Sequence, residues 1–148
     1  MSQKLSSKEQ KKLEKLQRMR HSMAHVMAAG LLKVLPDAKI AIGPAIENGF
    51  YYDFDLSRKL TPEDLEVIEG HMRDIIKADV PFEKEVVSRA DALKRFEDQD
   101  YKIELINDLP EDEELSLYKM GDFVDLCRGP HVESTGRDRQ NPPFYRVR

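Results

Sequence analysis

The chain runs to Pro36 before it meets its first proline. Ser6 with Glu9, or Ser7 with Gln10, has the spacing of a helix-starting capping box. Apolar residues Leu13, Leu16, Met23, Met27 and Leu31 then recur at helical spacing until Pro36, which a helix interior cannot accept. The pattern predicts one helix of about 25–28 residues with a polar first half. A helix that long must bury its second-half stripe against a layer built from the rest of the chain.

Lys39 to Asp55 reads as strand, turn, strand. Asn48-Gly49 supplies the positive φ angles of a two-residue turn, and Gly43-Pro44 interrupts the first strand as a bulge or an edge. Thr61 caps a second helix that Pro62 opens, with Leu65, Ile68, Met72, Ile75 and Ile76 as its buried stripe. Pro81 to Val87 is a strand, and Ser88 caps a short third helix through Phe96. Tyr101 to Leu109 fits either a strand or a short helix. Leu115 to Cys127 is a hairpin turning near Met120-Gly121, and Arg128-Gly-Pro-His131 is a tight turn leaving it. The expected fold is α+β: an antiparallel or mixed sheet, helices on one face, a long N-terminal helix. Residues 1–134 form one domain, with 1–12 a basic lead into the first helix. Residues 135–148, polar and containing Pro142-Pro143, read as a flexible tail.

The 148 residues match the size of one domain. No apolar run reaches 18 residues, so no membrane span is expected, and Met1 to Arg20 has no secretory h-region. The lone Cys127 cannot form an internal disulfide, which points to a reducing, cytoplasmic compartment. The net charge of −4 is unevenly spread: residues 1–20 carry +5, 21–127 carry −12 and 128–148 carry +3. That excludes a uniformly basic nucleic-acid-coating surface. It leaves either a phosphate-contacting rim around a small site or a solvated basic helix and tail.

His21 and His25, four apart on a helix, project from one face. Cys127 and His131 are four apart across a Gly-Pro turn. Two such pairs are the inventory of a tetrahedral zinc site, or of three ligands with an acid and a water in a hydrolytic centre. Each pair alone has a plainer reading: half-exposed helix histidines, and a small buried cysteine on a strand. Arg128, the turn's N–H groups and the His131 imidazole suit an anionic or ester-bearing ligand. His71, beside the apolar face of the second helix, reads as a rim or packing residue. In Phe50 to Asp55, Phe50 and Tyr52 share one face and Tyr51 and Asp53 the other. A tyrosine there is core, rim, or a surface for a base or a small hydroxylated ligand. Asp122 and Asp125 flank the strand leading to Cys127. One aimed inward would fix an amine or orient an imidazole; otherwise both are solvated. Lys102 carries no signal of its own, and Glu111 to Glu114 reads as a solvated loop.

Three segments together resemble a known family. They are His21-Ser-Met-Ala-His25, Ile40-Ala-Ile-Gly-Pro-Ala-Ile-Glu-Asn-Gly-Phe-Tyr-Tyr-Asp53, and Gly121-Asp-Phe-Val-Asp-Leu-Cys-Arg-Gly-Pro-His131. In this order they resemble the amino-terminal editing domain of bacterial threonyl-tRNA synthetases, a domain type shared with alanyl-tRNA synthetases and free-standing relatives. The likeness runs from about residue 14 to about residue 134. It implies hydrolysis of the aminoacyl ester of mischarged seryl-tRNA(Thr). A site that holds threonine rejects serine, one methyl smaller, by only about 1–3 kcal/mol, so a second site must clear the error.

The resemblance implies a pocket of His21, His25, Tyr52, Lys102, Asp125, Cys127 and His131. Lys102 and His21 would activate or position the water and the leaving 3′ oxygen, Asp125 would read the seryl amine, and Cys127 and His131 would exclude bulk. Tyr52 and Asp125 would bind substrate, Tyr52 lining the pocket or stacking near the terminal adenosine; Arg128 joins the substrate-binding set on its place in the turn alone. No cofactor is required by this reading. Zinc on His21, His25, Cys127 and His131, as in the alanine-type relatives, is admissible. The implied partner is the tRNA(Thr) acceptor end carrying serine, with the rest of a synthetase if the chain is a fragment. A ubiquitin-like domain, a class II core with its ATP site and an anticodon domain are not recognised, so aminoacylation is not expected. Without those modules tRNA docking should be weak. The segment from Thr135 departs from the family's continuation. Two other readings are a non-catalytic module for the tRNA acceptor end and a zinc-stabilised structural domain.

Overall fold

A computed structural model describes residues 4–41, 45–46, 49–50 and 52–136. The first helix, α1 (Ser7–Val34), starts where its capping box places it: the Ser6 side chain accepts from the Glu9 N–H, and the Glu9 side chain from the Ser6 N–H. Its first half is exposed, and burial begins at Ser22 and runs to Leu31. Leu35 closes it one residue before Pro36.

Four short strands follow: β1 (Lys39–Ile40), β2 (Ala45–Ile46), β3 (Gly49–Phe50) and β4 (Phe54–Asp55). β1 pairs with β4, and β2 with β3, both antiparallel. Gly49 is itself paired with Ile46, so the positions between those strands are 47 and 48, one residue earlier than the Asn48-Gly49 expectation. Residues 47 and 48, the Gly43-Pro44 interruption and Tyr51 lie outside the described residues.

Helix α2 (Pro62–Ala78) is capped by Thr61 through a second capping box with Asp64. It buries Ile68, Met72 and Ile75 against α1, while Leu65 and Ile76 are only partly covered. Gly30 permits the close approach of the two helices. A Cβ there would lie 3.2 Å from the Ile68 carbonyl oxygen and 3.3 Å from Met72 Cγ. His71 sits half-buried beside this contact, as a packing residue does.

Strand β5 (Phe82–Val87), helix α3 (Arg89–Arg95), helix α4 (Asp100–Asp108) and strands β6 (Leu115–Met120) and β7 (Phe123–Leu126) complete the described chain. Tyr101 to Leu109, open between strand and helix on sequence, is helical. That puts Lys102 and Ile106, four apart, on the one buried face. The order β5-β6-β7 is antiparallel throughout, so among the described strands no parallel pair makes the sheet mixed. The β6–β7 turn is Gly121-Asp122, with Gly121 at φ +61°.

Alternation along β6 divides the core. Leu115 and Leu117 face a cluster with Ala92, Phe96 and Ile106 from α3 and α4. Met120 and Phe123 join the main core of α1, α2 and the first hairpin. The sheet therefore has covered residues on both faces, rather than helices on one alone. Two residues of the expected tail are held: Thr135 exchanges backbone and side-chain hydrogen bonds with Val80, and the Gly136 N–H reaches Asp79 Oδ1. Residues 137–148 lie outside the described residues.

Candidate active site

The second half of α1 carries the partly covered His21 and the buried Ser22 and His25 to the end of β7, where Asp125 leads into Cys127 and the His131 turn. Ligating atoms of His21, His25, Cys127 and His131 all lie within 4.8 Å of one another. Cys127 Sγ is 3.3 Å from His21 Nε2 and 3.2 Å from His131 Nε2. The opposite ring nitrogens are tethered: His21 Nδ1 is 3.2 Å from the Pro130 carbonyl oxygen, and His131 Nδ1 is 3.0 Å from Ser22 Oγ. A ring N–H given to Pro130 leaves His21 Nε2 as an acceptor facing the sulfur.

The turn supplies the remaining geometry. Gly129, at φ +80° before a cis peptide to Pro130, gives its N–H to Cys127 Sγ at 3.3 Å. A Cβ at Gly129 would sit 2.4 Å from the Tyr118 hydroxyl, so only glycine fits without displacement. The His131 ring stacks on His21 (centroids 4.2 Å apart) and on Phe82 (4.9 Å), and meets Tyr118 edge-on.

Burial sets the protonation of this cluster. Desolvation pushes His25 down to about 3 and His131 down to about 2, and the crowding of the three imidazoles, with Lys102 beside His25, disfavours a proton on either further. His21 is lowered for the same first reason, opposed by its hydrogen bond to Pro130. Cys127 is pushed up to about 11, chiefly by burial. At neutral pH the metal-free cluster is three neutral imidazoles and a thiol.

Beside it lies a second polar group. Asp125, 3% exposed, accepts from Lys102 Nζ at 2.6 Å, from the Tyr52 hydroxyl and from the Leu126 N–H. Lys102, 2% exposed, also donates to the Ala41 carbonyl oxygen at 2.5 Å. Burial and Asp125 together raise the Tyr52 hydroxyl, which stays protonated as the donor. His25 Nε2 is 3.7 Å from Asp125 Oδ2 and joins the two groups, while His25 Nδ1 is buried with no hydrogen-bond partner among the described residues.

The donor set fits a tetrahedral metal. Nitrogen and sulfur donors about 2.0–2.3 Å from zinc lie roughly 3.5 Å apart, close to the two Cys127–imidazole distances. Tethering of the distal ring nitrogens is the usual support of a ligating histidine, and the unpartnered His25 Nδ1 is free for a ligand.

Seven expected residues thus converge: His21, His25, Tyr52, Lys102, Asp125, Cys127 and His131. Arg128 does not join them. Its side chain is 74% exposed and paired with Glu113, away from the imidazoles, which leaves the expected substrate contact without geometric support. Of Asp122 and Asp125, only Asp125 points inward; Asp122 is exposed in the turn. Sequence reasoning passed over two supporting residues. Ser22 Oγ accepts from the Val132 N–H and meets His131, and its signal was a polar residue inside the apolar half of a helix. Tyr118 is the cross-strand partner of Asp125, a register that the hairpin alone implies.

Residues 115–137 match the family described as threonyl and alanyl tRNA synthetase second additional domain. A threonine–tRNA ligase of Dehalococcoides mccartyi is 54% identical over 129 residues, which is 87% of this chain and 22% of that protein. One of Desulforamulus reducens is 58% identical over 120 residues, 80% of this chain and 19% of the relative. One of Acidithiobacillus ferrooxidans is 53% identical over 123 residues, with shares of 82% and 19%. The chain spans about a fifth of the length of these curated relatives. With more than half of the aligned residues identical, and the family match lying on the hairpin that carries Asp125 and Cys127, the chain belongs to the family of second additional domains, the editing domains, of threonyl- and alanyl-tRNA synthetases.

Proposed function

We propose that this chain hydrolyses the ester joining a wrongly attached serine to the 3′ end of tRNA(Thr). Water adds to the ester carbonyl, the bond to the ribose oxygen breaks, and the products are serine and a free 3′-terminal hydroxyl. The observation that carries the reading is the junction of a buried Lys102–Asp125–Tyr52 network with neutral imidazoles.

Each role follows from local chemistry. His21, the most accessible imidazole of the α1 pair, is neutral and presents Nε2 as a proton acceptor for the attacking water. Lys102 places positive charge where the carbonyl and leaving oxygens become negative. Asp125 takes the seryl ammonium beside Lys102, and Tyr52 holds that carboxylate in place. Cys127 stays a thiol at neutral pH, which favours a wall over a nucleophile. His131, clamped between rings, completes that wall and excludes threonine's extra methyl. A zinc ion bound by His21, His25, Cys127 and His131 would supply Lewis acidity. The reaction proposed here does not require it, because Lys102 and His21 provide the charge and the base.

The test is deacylation of seryl-tRNA(Thr) beside threonyl-tRNA(Thr) by the purified chain. Loss of the seryl ester alone is expected. Persistence of both esters at high protein concentration overturns the proposal. The compact donor set favours one second reading, a zinc-stabilised structural domain. Its signature would be stoichiometric zinc that leaves only on unfolding, with neither ester lost.

A further inference from the structure

The first half of α1 is exposed to Gln17 and contributes none of the helix's buried residues. Yet its charges are ordered. Lys8, Lys11, Lys15 and Arg18 recur at spacings of three, four and three, and the same progression continues into Ser22 and His25. At 3.6 residues per turn these six positions form one stripe, with a cation about every 5.4 Å over the first turns. Of the two acids of this half, Glu9 closes the capping box, and Glu14, which accepts from Gln10 Nε2, borders the stripe three residues after Lys11 and four before Arg18. The exposed Leu13 and Leu16 fall on the far side of the helix.

We infer that this stripe is a track for the tRNA sugar–phosphate backbone, leading along α1 to the ester site. The inference rests on the proposed hydrolysis and adds to it the surface that receives the rest of the substrate. Three observations carry it. Residues 21–127 carry −12, whereas residues 1–20, most of them in this exposed half, carry +5. The stripe's cations are spaced one per turn, as a repeating polyanion requires. The stripe runs into the helix face that holds Ser22 and His25, so a ligand following it arrives at the cluster. Phosphate contacts of this kind set register and affinity without reading sequence.

The experiment uses the full chain and the double variant Lys8→Gln/Lys11→Gln. A second double variant, Lys59→Gln/Lys77→Gln, removes the same charge from exposed positions off the stripe. Two esters are compared, seryl-tRNA(Thr) and seryl-adenosine, which has the reacting bond and no acceptor strand. Binding of deacylated tRNA(Thr) is followed through a salt titration. The stripe variant should lose kcat/KM on seryl-tRNA through a higher KM and keep wild-type rates on seryl-adenosine. Its log–log salt slope should shrink by about 2, one unit per lysine, while the control variant follows the wild type. Unchanged tRNA binding and slope in the stripe variant overturn the track, as does an equal loss in both double variants or an equal loss on both esters. If the wild-type chain cleaves neither ester, the hydrolysis proposal fails; the track then stands or falls on the binding slope alone.

Discussion

The His/Cys cluster and the Lys102–Asp125–Tyr52 network lie side by side, joined where His25 approaches Asp125, and burial acts on them in opposite ways. The cluster is built from groups that can shed charge. Desolvation therefore leaves it neutral, and its members pack as rings around a thiol. The network keeps a cation and a carboxylate away from water, and each is held only because the other is there. Neutral buried groups tolerate loss of a neighbour, whereas a buried charge stripped of its partner does not. The cluster should thus be adaptable, able to serve as wall, base or metal cradle, while the network should hold its own members in fixed positions.

The largest test of that contrast is Asp125→Asn. It leaves the Lys102 ammonium buried against an amide, and urea unfolding should show a loss of about 3–5 kcal/mol. A cost under about 1 kcal/mol would mean that the network carries no strong coupling.

Acid should act on the cluster instead. The metal-free histidines titrate near 6.5 when unfolded, but His25 only at about 3 and His131 only at about 2 when folded. Below pH 6.5 the unfolded chain takes up protons that the folded chain refuses. Their stabilisation is therefore complete above pH 6.5 and falls as the pH drops toward 3, by up to about 1.4 kcal/mol per unit for each histidine. Chelator-treated protein unfolded by urea between pH 7 and 4.5 should show this slope, and His131→Phe should flatten it by one histidine's share. An equal slope in that variant would place the acid sensitivity elsewhere.

Tyr52→Phe removes one donor from the Asp125 carboxylate and should cost about 1.5–3 kcal/mol. Cys127→Ala should cost least, about 1 kcal/mol in metal-free protein, and yet abolish tight zinc binding in a competition titration. If Cys127→Ala destabilises the metal-free chain as much as Asp125→Asn does, the two regions do not differ as described.

Much of this arrangement was legible from the residues. The first capping box, the Thr61 cap with Pro62, the spacing of His21 with His25 and of Cys127 with His131, and the hairpin into Cys127 are local signals, and local signals survive folding. Lys102 was not legible from pattern. It is one charged residue in a segment whose strand and helix periodicities were indistinguishable, and its burial depends on α4 packing beside β1. The resemblance supplied it; the residues alone did not. Arg128 was legible as a turn residue, but its surroundings were not. Its place in the turn suggested a ligand contact, but the ion pair with Glu113, fifteen positions back along the chain, takes it elsewhere. The position of the first hairpin's turn failed for a similar reason, since Gly49 is drawn into the ladder opposite Ile46.

The central claim is that Lys102, held by Asp125, acts with a neutral imidazole to cleave the seryl ester without help from a metal. Its most direct test is the single-turnover rate on seryl-tRNA(Thr) for chelator-treated wild type and for Lys102→Met, with circular dichroism confirming that both are folded. Treated wild type should retain its rate, and Lys102→Met should lose about 10²-fold or more. A rate that chelation abolishes and zinc restores, together with an unimpaired Lys102→Met, would contradict the account.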